Sequence, residues 1–191
     1  MTTGTMIRLW TIQTPLAWSL LQQHNSLSGD GRRADPFFRP AYRWLMEQMS
    51  LRTKGYTGRF PIWFWTEKPD FRQYRFRNYS KPGKPVVFLE CLIPAERVLL
   101  SDYESWHSVL NNWHLALTEE ESDDFDNRLK TGQITYEQAM REQRTSWERV
   151  FDFDVLRAHP DWLGEPTIQA TVETLRKQDV VKAKVISIKR T

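Results

Sequence analysis

Hydrophobic and polar residues alternate near the C-terminus of the chain, from Thr167 to Glu173 of the segment TIQATVETL at residues 167–175. Ile168, Ala170 and Val172 occupy the even positions, and three polar residues occupy the odd positions between and after them. A period of two is the signature of a β-strand with one buried face. The opposite face then carries an amide, a hydroxyl and a carboxylate in a row: Gln169, Thr171 and Glu173.

Five further segments have the length and pattern of strands, and helical patterns alternate with them. The predicted strands are MIRLWTI, FPIWFWTE, the nearly continuous apolar run VVFLECLIP, RVLLSD and VVKAKVISIKR. TPLAWSLLQQH, with Thr14 as N-cap, and RPAYRWLMEQMSLRTKG read as helices. Three pairs with capping-box spacing predict further helix starts: Ser101/Glu104, Thr118/Glu121 and Thr135/Gln138. This order predicts one α+β domain over residues 1–191, with helices packed against a mostly antiparallel sheet.

Composition narrows the class of protein. No apolar run approaches the ~20 residues of a membrane span, and the N-terminus lacks the pattern of a secretory signal. We therefore expect a cytoplasmic protein with no membrane partner. The single cysteine, Cys91, lies in an apolar strand and is expected to be a buried core residue. The four histidines are scattered, with no metal-ligand spacing, so no metal site is predicted.

Charge is distributed unevenly along the sequence although the formal net charge is only +3. Residues 31–84 contain 13 Lys and Arg against four Asp and Glu, whereas residues 102–142 contain three against ten. The basic segment includes KPDFRQYRFRNYSKPGKP, predicted as a loop or hairpin, and it is interleaved with aromatic residues. This combination is typical of proteins that bind a nucleotide or a nucleic acid, although a solvated surface of mixed charge is an equal alternative.

Two resemblances follow from particular segments. MIRLWTIQTPLAW, PAYRWLMEQM, PIWFWTE, IPAERVLLSDYESWHSVLNNW, SWERVFD and IQATVETL together resemble an uncharacterised bacterial domain family of unknown function. Both ends also resemble the ADP-ribosyltransferase superfamily, especially its compact toxins that modify nucleic acid. Those enzymes begin with a strand of the type L-Y-H-x-T and end with a strand of the type I-Q-A-E, whose glutamate is catalytic.

The superfamily resemblance implies specific roles and has two departures. Leu9 and Trp10 match the L-Y pair, whereas Thr11 stands where the family has histidine. Thr171 stands where the family has its glutamate, and Glu173 follows two residues later. Because strand parity is two, we expect Glu173 to face the same side as Thr171 and to act as the catalytic carboxylate, with Gln169 and Thr171 lining an NAD cleft.

The remaining ligand contacts are expected from the basic and aromatic residues. Arg43, on the predicted second helix, is the candidate for binding the pyrophosphate, ahead of Arg8. Tyr42 and Trp65, with Trp63, are candidates for stacking on nicotinamide, and Trp10 and Thr11 are expected beside the cofactor. Glu148 is a second candidate carboxylate, although a position on a helix surface is the simpler expectation for it.

Taken together, the resemblance implies an ADP-ribosyltransferase-like α+β fold that uses NAD as a substrate. The expected function is a bacterial toxin that modifies RNA or DNA in a toxin–antitoxin or phage-defence system, with an antitoxin protein as a possible partner. Two alternatives stay open. One is a non-catalytic protein of the same fold that binds nucleic acid or a nucleotide, and the other is an NAD glycohydrolase that transfers ADP-ribose to water.

Overall fold

A six-stranded sheet organises the fold in the computed structural model, which describes residues 4–70 and 84–186. The strands within these ranges are β1 Met6–Gln13, β2 Ser26–Ser28, β3 Ile62–Trp65, β4 Val86–Pro94, β5 Leu99–Asp102, β6 Ile168–Val172, β7 Thr174–Arg176 and β8 Val180–Ile186. The helices are α1 Pro15–His24, α2 Arg39–Arg52, α3 Tyr103–Leu110, α4 Glu119–Lys130, α5 Tyr136–Ser146, α6 Phe153–Arg157 and α7 Pro160–Leu163. Short 3-10 turns connect several of them, at Gly31–Arg33, Pro36–Phe38, Ala95–Arg97, Trp147–Phe151 and Lys177–Asp179.

The strand order in the large sheet is β5-β6-β3-β1-β4-β8, and β2 pairs with β7 in a second, two-stranded sheet. Strand β1 is antiparallel to both β3 and β4, and β4 is antiparallel to β8. The predicted α+β class with an antiparallel sheet is therefore confirmed. Strand β4, which contains the nearly continuous apolar run, is a central strand of the sheet, between β1 and β8.

The pleat of β1 separates two chemically different faces of the sheet. Leu9 and Thr11 are buried on one face, whereas Arg8 is exposed on the other. Trp10 lies opposite Trp65 of β3 and opposite Glu90 of β4, so these three residues share the face of Arg8.

Caps explain where several helices begin, and one predicted cap is wrong. Thr14 and Thr118 accept hydrogen bonds from backbone amides of α1 and α4, and Thr135 with Gln138 forms a complete capping box. The predicted box of Ser101 and Glu104 is absent, because α3 begins one residue later. Asp102 is its N-cap and accepts a hydrogen bond from Ser105 N at 2.7 Å.

The C-terminal segment forms two strands where the alternation predicts one. Strand β6 ends at Val172, Glu173 occupies a bend, and β7 begins at Thr174. The row of three polar residues is shielded from solvent, because Gln169, Thr171 and Glu173 are all buried. The bend means that strand parity does not determine the direction of the Glu173 side chain.

The chain divides into two units. One contains the described residues of Met1–Arg33, Met46–Leu99 and Ala170–Thr191, and its core includes Leu9, Phe64 and Leu89. The other contains Ala34–Leu45 and Leu100–Gln169. In this second unit Trp44 stacks on Phe151, with ring centroids 5.7 Å apart, and meets Trp147 edge-on.

Three sequence expectations bear on these ranges. The single domain over residues 1–191 stays a prediction. Residues 71–83, which make up most of the predicted basic loop at residues 68–85, lie outside the described residues. Among the helices of residues 4–70 and 84–186, none has the length and apolar character needed to cross a membrane.

Candidate functional site

The carboxylate of Glu173 lies at the bend between β6 and β7, where only 9% of the residue is exposed. Its Oε1 accepts three hydrogen bonds from one loop: from Thr57 N at 2.9 Å, from Thr57 Oγ1 at 2.9 Å and from Arg59 N at 2.7 Å. Its Oε2 has no hydrogen-bond partner among residues 4–70 and 84–186, and the side chain lines a cavity. One oxygen is therefore fixed by the protein, and the side chain also borders a cavity with room for a small ligand.

The loop reaches the carboxylate because glycines turn the chain after α2. Gly55 and Gly58 have φ angles of 74° and 92°, in the left-handed region that L-residues other than glycine rarely adopt. The amides of Thr57 and Arg59, on either side of Gly58, both point at the same oxygen. A carboxylate that accepts several amide hydrogen bonds is held in one orientation, which is what a ligand-binding carboxylate requires.

The cavity beside Glu173 has a volume of about 250 Å³ and is predominantly cationic. We call it the Glu173 pocket. Its ionisable lining side chains, apart from Tyr56, are one carboxylate and four cations: Glu173, Lys54, Arg59, Arg97 and Arg176. Such a concentration of positive charge in a concave site favours an anionic ligand, and arginines suit phosphate oxygens in particular.

Two of the four cations are already paired with carboxylates. Arg97 forms a bidentate ion pair with the buried Asp179, at 3.1 and 3.2 Å, and also donates to Thr174 O. Lys54 pairs with Glu96 at 3.2 Å on the surface. In the described part of the chain, no ion-pair partner is present for Arg59 or Arg176. These two guanidinium groups are therefore the cations available to an incoming anion.

Tyr56 contributes a hydroxyl that stays protonated at neutral pH. Burial, together with the negative charge of Glu173, raises the pKa of Tyr56 to about 12. Its hydroxyl donates to Arg59 O at 3.2 Å. The side chain therefore acts as a neutral hydrogen-bond donor within the lining of the Glu173 pocket.

The sequence-predicted residues Thr11, Thr171 and Gln169 do not line the Glu173 pocket. Thr11 is 2% exposed, and its Oγ1 accepts from Gln13 Nε2 at 2.8 Å. Thr171 is fully buried, and its hydroxyl donates to Leu99 O at 3.4 Å. Gln169 is buried, and its Nε2 has no partner in the described ranges. Of the predicted polar row, only Glu173 borders this cavity.

The aromatic and arginine candidates lie elsewhere. Trp10 and Trp65 oppose each other on the sheet face that carries Arg8, away from Thr11. Tyr42 packs edge-on against Trp106 in the second unit, with ring centroids 6.0 Å apart, and Arg43 is exposed on α2. None of these four predicted residues lines the Glu173 pocket.

Sequence reasoning missed the residues that give the Glu173 pocket its character. Arg59, Arg97 and Arg176 come from three separate segments, and Thr57 binds a residue 116 positions away. The glycines at positions 55 and 58 were the available signal, because they mark a tight loop directly after a helix.

Other chemically reactive groups do not assemble into a second centre within residues 4–70 and 84–186. Cys91 is buried, and burial raises the pKa of its thiol to about 12, with Asp179 and Glu90 adding to the effect. The expectation that Cys91 is a core residue is confirmed. In the same ranges, no three His, Cys, Asp or Glu side chains are grouped so that they could hold a metal ion.

Fold and site together define an α+β protein with an oriented carboxylate inside a cationic pocket. The chain belongs to the family described as a domain of unknown function (DUF3841), whose model matches residues 8–181. The resemblance to an uncharacterised family is thereby confirmed. No curated protein and no solved structure matches the chain.

Proposed function

We propose that the protein is an NAD-dependent ADP-ribosyltransferase that uses Glu173 as its catalytic carboxylate. The observation that supports the proposal is a carboxylate whose Oε1 is fixed by the loop and whose side chain lines a cationic cavity. A ribose hydroxyl bonded to Oε2 and a phosphate bound by Arg59 and Arg176 would use both features. A site that only bound an anion would not require the negative charge of Glu173 beside its cations.

The chemistry requires a carboxylate and no strong acid. The bond between nicotinamide nitrogen and ribose C1′ breaks, and its electron pair leaves with neutral nicotinamide. Positive charge develops on the sugar as in glycoside hydrolysis, and a carboxylate bonded to a ribose hydroxyl stabilises it. The acceptor then forms a bond to C1′ and loses its proton to Glu173 or to water.

The size of the pocket limits which part of NAD it could hold. Pockets for drug-sized ligands usually measure about 300–1,000 Å³, and the Glu173 pocket has about 250 Å³. We therefore assign only a ribose and its adjoining phosphate to the Glu173 pocket, with the bases outside it. The fixed Arg97 contributes positive potential, and Arg59 and Arg176 contact the phosphate oxygens.

A second candidate function is nucleotide or nucleic-acid binding without turnover, and a specific observation favours it. Thr11 and Thr171 stand where the ADP-ribosyltransferases that the sequence resembles carry histidine and glutamate. Both are buried, and they are hydrogen-bonded to their own strand or to a neighbouring one. Three hydrogen bonds to Oε1 also give Glu173 a structural role. An NAD glycohydrolase would use the same pocket with water as acceptor.

One experiment separates these functions. The purified protein is incubated with NAD labelled in the adenylate portion and with RNA, DNA or a protein mixture. Transfer predicts released nicotinamide and label on a nucleic acid, whereas a glycohydrolase releases free ADP-ribose alone. Glu173→Gln should abolish release, while the matched control Glu137→Gln, on the exposed side of α5, should not change it. Absence of nicotinamide release by the wild-type protein would eliminate both enzymatic functions.

The biological role proposed for this activity is that of a toxin in a toxin–antitoxin or phage-defence system. The proposal predicts that induced expression of the wild-type chain arrests bacterial growth and that Glu173→Gln expression does not. Growth that is equally impaired by both proteins would contradict a catalytic toxin. An antitoxin would be recognised as a protein that restores growth when it is expressed together with the wild-type chain.

A further inference from the structure

We infer that a groove at the β8 edge of the large sheet binds single-stranded nucleic acid, which would supply the acceptor for the proposed transferase. We call this feature the lysine groove, and its lining includes Lys68, Phe88, Glu90, Lys182 and Lys184. The cavity measures about 200 Å³ and shares no lining residue with the Glu173 pocket. The binding property itself does not depend on NAD turnover.

The register of the strands places these side chains on one face of the sheet. Glu90 of β4 lies opposite Lys182 of β8, and Phe88 lies opposite Lys184. Directly paired residues in an antiparallel sheet point to the same side. The two lysines of β8 and the buried ring of Phe88 therefore lie beside one another on the same side of the sheet.

The charge of the groove is complementary to a phosphate backbone. Among the described residues, three lysines line it, and the one carboxylate in the lining, that of Glu90, already forms an ion pair with Arg8 of β1. Lys182 and Lys184 are exposed, so a strand of nucleic acid can reach their ammonium groups. Lysines two residues apart along a strand lie about 7 Å from each other, close to the spacing of successive phosphates.

Aromatic rings continue from the groove along the same sheet face. Trp10 of β1 is paired with Glu90, and Trp65 of β3 is paired with Trp10. Both indole side chains are partly exposed. Rings beside a cationic strip are the arrangement on which the bases of a single strand stack, whereas the paired bases of a duplex are not accessible to such rings.

The test measures binding of a fluorescein-labelled 12-nucleotide single strand, as RNA and as DNA, to the full chain without NAD. Wild-type protein should bind both single strands more tightly than the corresponding duplex. Lys182→Gln/Lys184→Gln should weaken single-strand binding about tenfold at 0.15 M salt and lower the salt slope by about 1.4, since each lost phosphate contact removes ~0.7. The matched control, Lys130→Gln/Lys177→Gln, removes two exposed lysines outside the groove and should leave both values near wild type.

Several outcomes would overturn the inference. Equal binding by the two double variants would place any contact outside the groove, and duplex binding as tight as single-strand binding would remove the stacking argument. Lysines on an edge strand can also serve only to prevent edge-to-edge aggregation. Aggregation of Lys182→Gln/Lys184→Gln with unchanged nucleic-acid binding would support that role instead.

The measurement is independent of the proposed catalytic function. The lysine groove shares no lining residue with the Glu173 pocket, so single-strand binding is measured without NAD and nicotinamide release is measured separately with NAD. Lysine-dependent binding without nicotinamide release would support the groove and refute the transferase proposal. Nicotinamide release without lysine-dependent binding would support NAD turnover at the Glu173 pocket and refute the groove.

Discussion

Glu173 joins two parts of one unit, and its removal should therefore cost stability as well as activity. Its Oε1 accepts two backbone amides and one hydroxyl from the loop that follows α2. Hydrogen bonds to a charged group contribute roughly 1.5–3 kcal/mol each, and neutral ones roughly 0.5–1.5 kcal/mol. Thr57 and Arg59 are exposed, so water can partly replace the lost acceptor. The lower end of the range for charged groups, about 1.5 kcal/mol for each hydrogen bond, therefore applies.

From these values we expect Glu173→Ala to lower the free energy of unfolding by about 3–5 kcal/mol. Glu173→Gln keeps a carbonyl oxygen for the same three donors and should cost only about 1–2 kcal/mol. Urea titration measures both values, and about 3 kcal/mol corresponds to a midpoint shift of at least about 1 M for a typical slope. The glutamine variant thus separates the loss of charge from the loss of the loop contact.

Amide hydrogen exchange provides a local readout of the same contact. The amides of Thr57 and Arg59 should be protected in the wild type and in Glu173→Gln, and they should exchange rapidly in Glu173→Ala. Rapid exchange of both amides in the wild-type protein would refute this reasoning. A change in unfolding free energy below about 0.5 kcal/mol for Glu173→Ala would do the same.

Three further predictions concern ionisable groups outside this contact. Arg97→Ala should lower the unfolding free energy by about 3–5 kcal/mol, because it leaves Asp179, 5% exposed, without its partner; an effect below about 1 kcal/mol in urea titration would be inconsistent with a buried pair. Burial lowers the pKa of His114 despite the nearby Glu121, so the folded state favours the neutral ring. The resulting stabilisation is complete above the ordinary histidine pKa, and it is lost as pH falls from there through the lowered pKa of the folded state. His114→Asn should flatten the dependence of stability on pH between about 5 and 7, and an unchanged profile would exclude His114 as its source. Cys91, with a pKa of about 12, should react with a thiol reagent at about pH 8 only after denaturant is added, and rapid labelling of the folded protein would contradict its burial.

The sequence predicted those elements whose signal is local. Three such signals are the alternation in β1, the apolar run of β4 and the capping box at Thr135. Each depends on residues that are close to one another in the sequence. The predicted box at Ser101 failed because Asp102 competes as N-cap. Asp102 also accepts a hydrogen bond from Thr167 N, a contact over 65 residues that the local pattern cannot encode.

Of the residues that line the Glu173 pocket, the sequence predicted only Glu173 as a candidate site residue. Alternation continues from Ile168 through Glu173, but the chain bends at Glu173, and the carboxylate there accepts hydrogen bonds from a loop in another part of the sequence. Arg97 and Asp179 likewise form a pair over 82 residues. Basic side chains that converge from separate segments leave no periodic signal, so the composition predicted an anionic ligand but not where it binds.

The central proposal is that Glu173 and the cations around it bind NAD and promote cleavage of its nicotinamide–ribose bond. The most direct measurement is nicotinamide release from NAD by the purified chain in the presence of single-stranded RNA and DNA, for wild type, Glu173→Gln and Arg176→Gln. We predict release by the wild type, none by Glu173→Gln, and release by Arg176→Gln only at higher NAD concentration. Undiminished release by Glu173→Gln, or no release by the wild type, would contradict the claim.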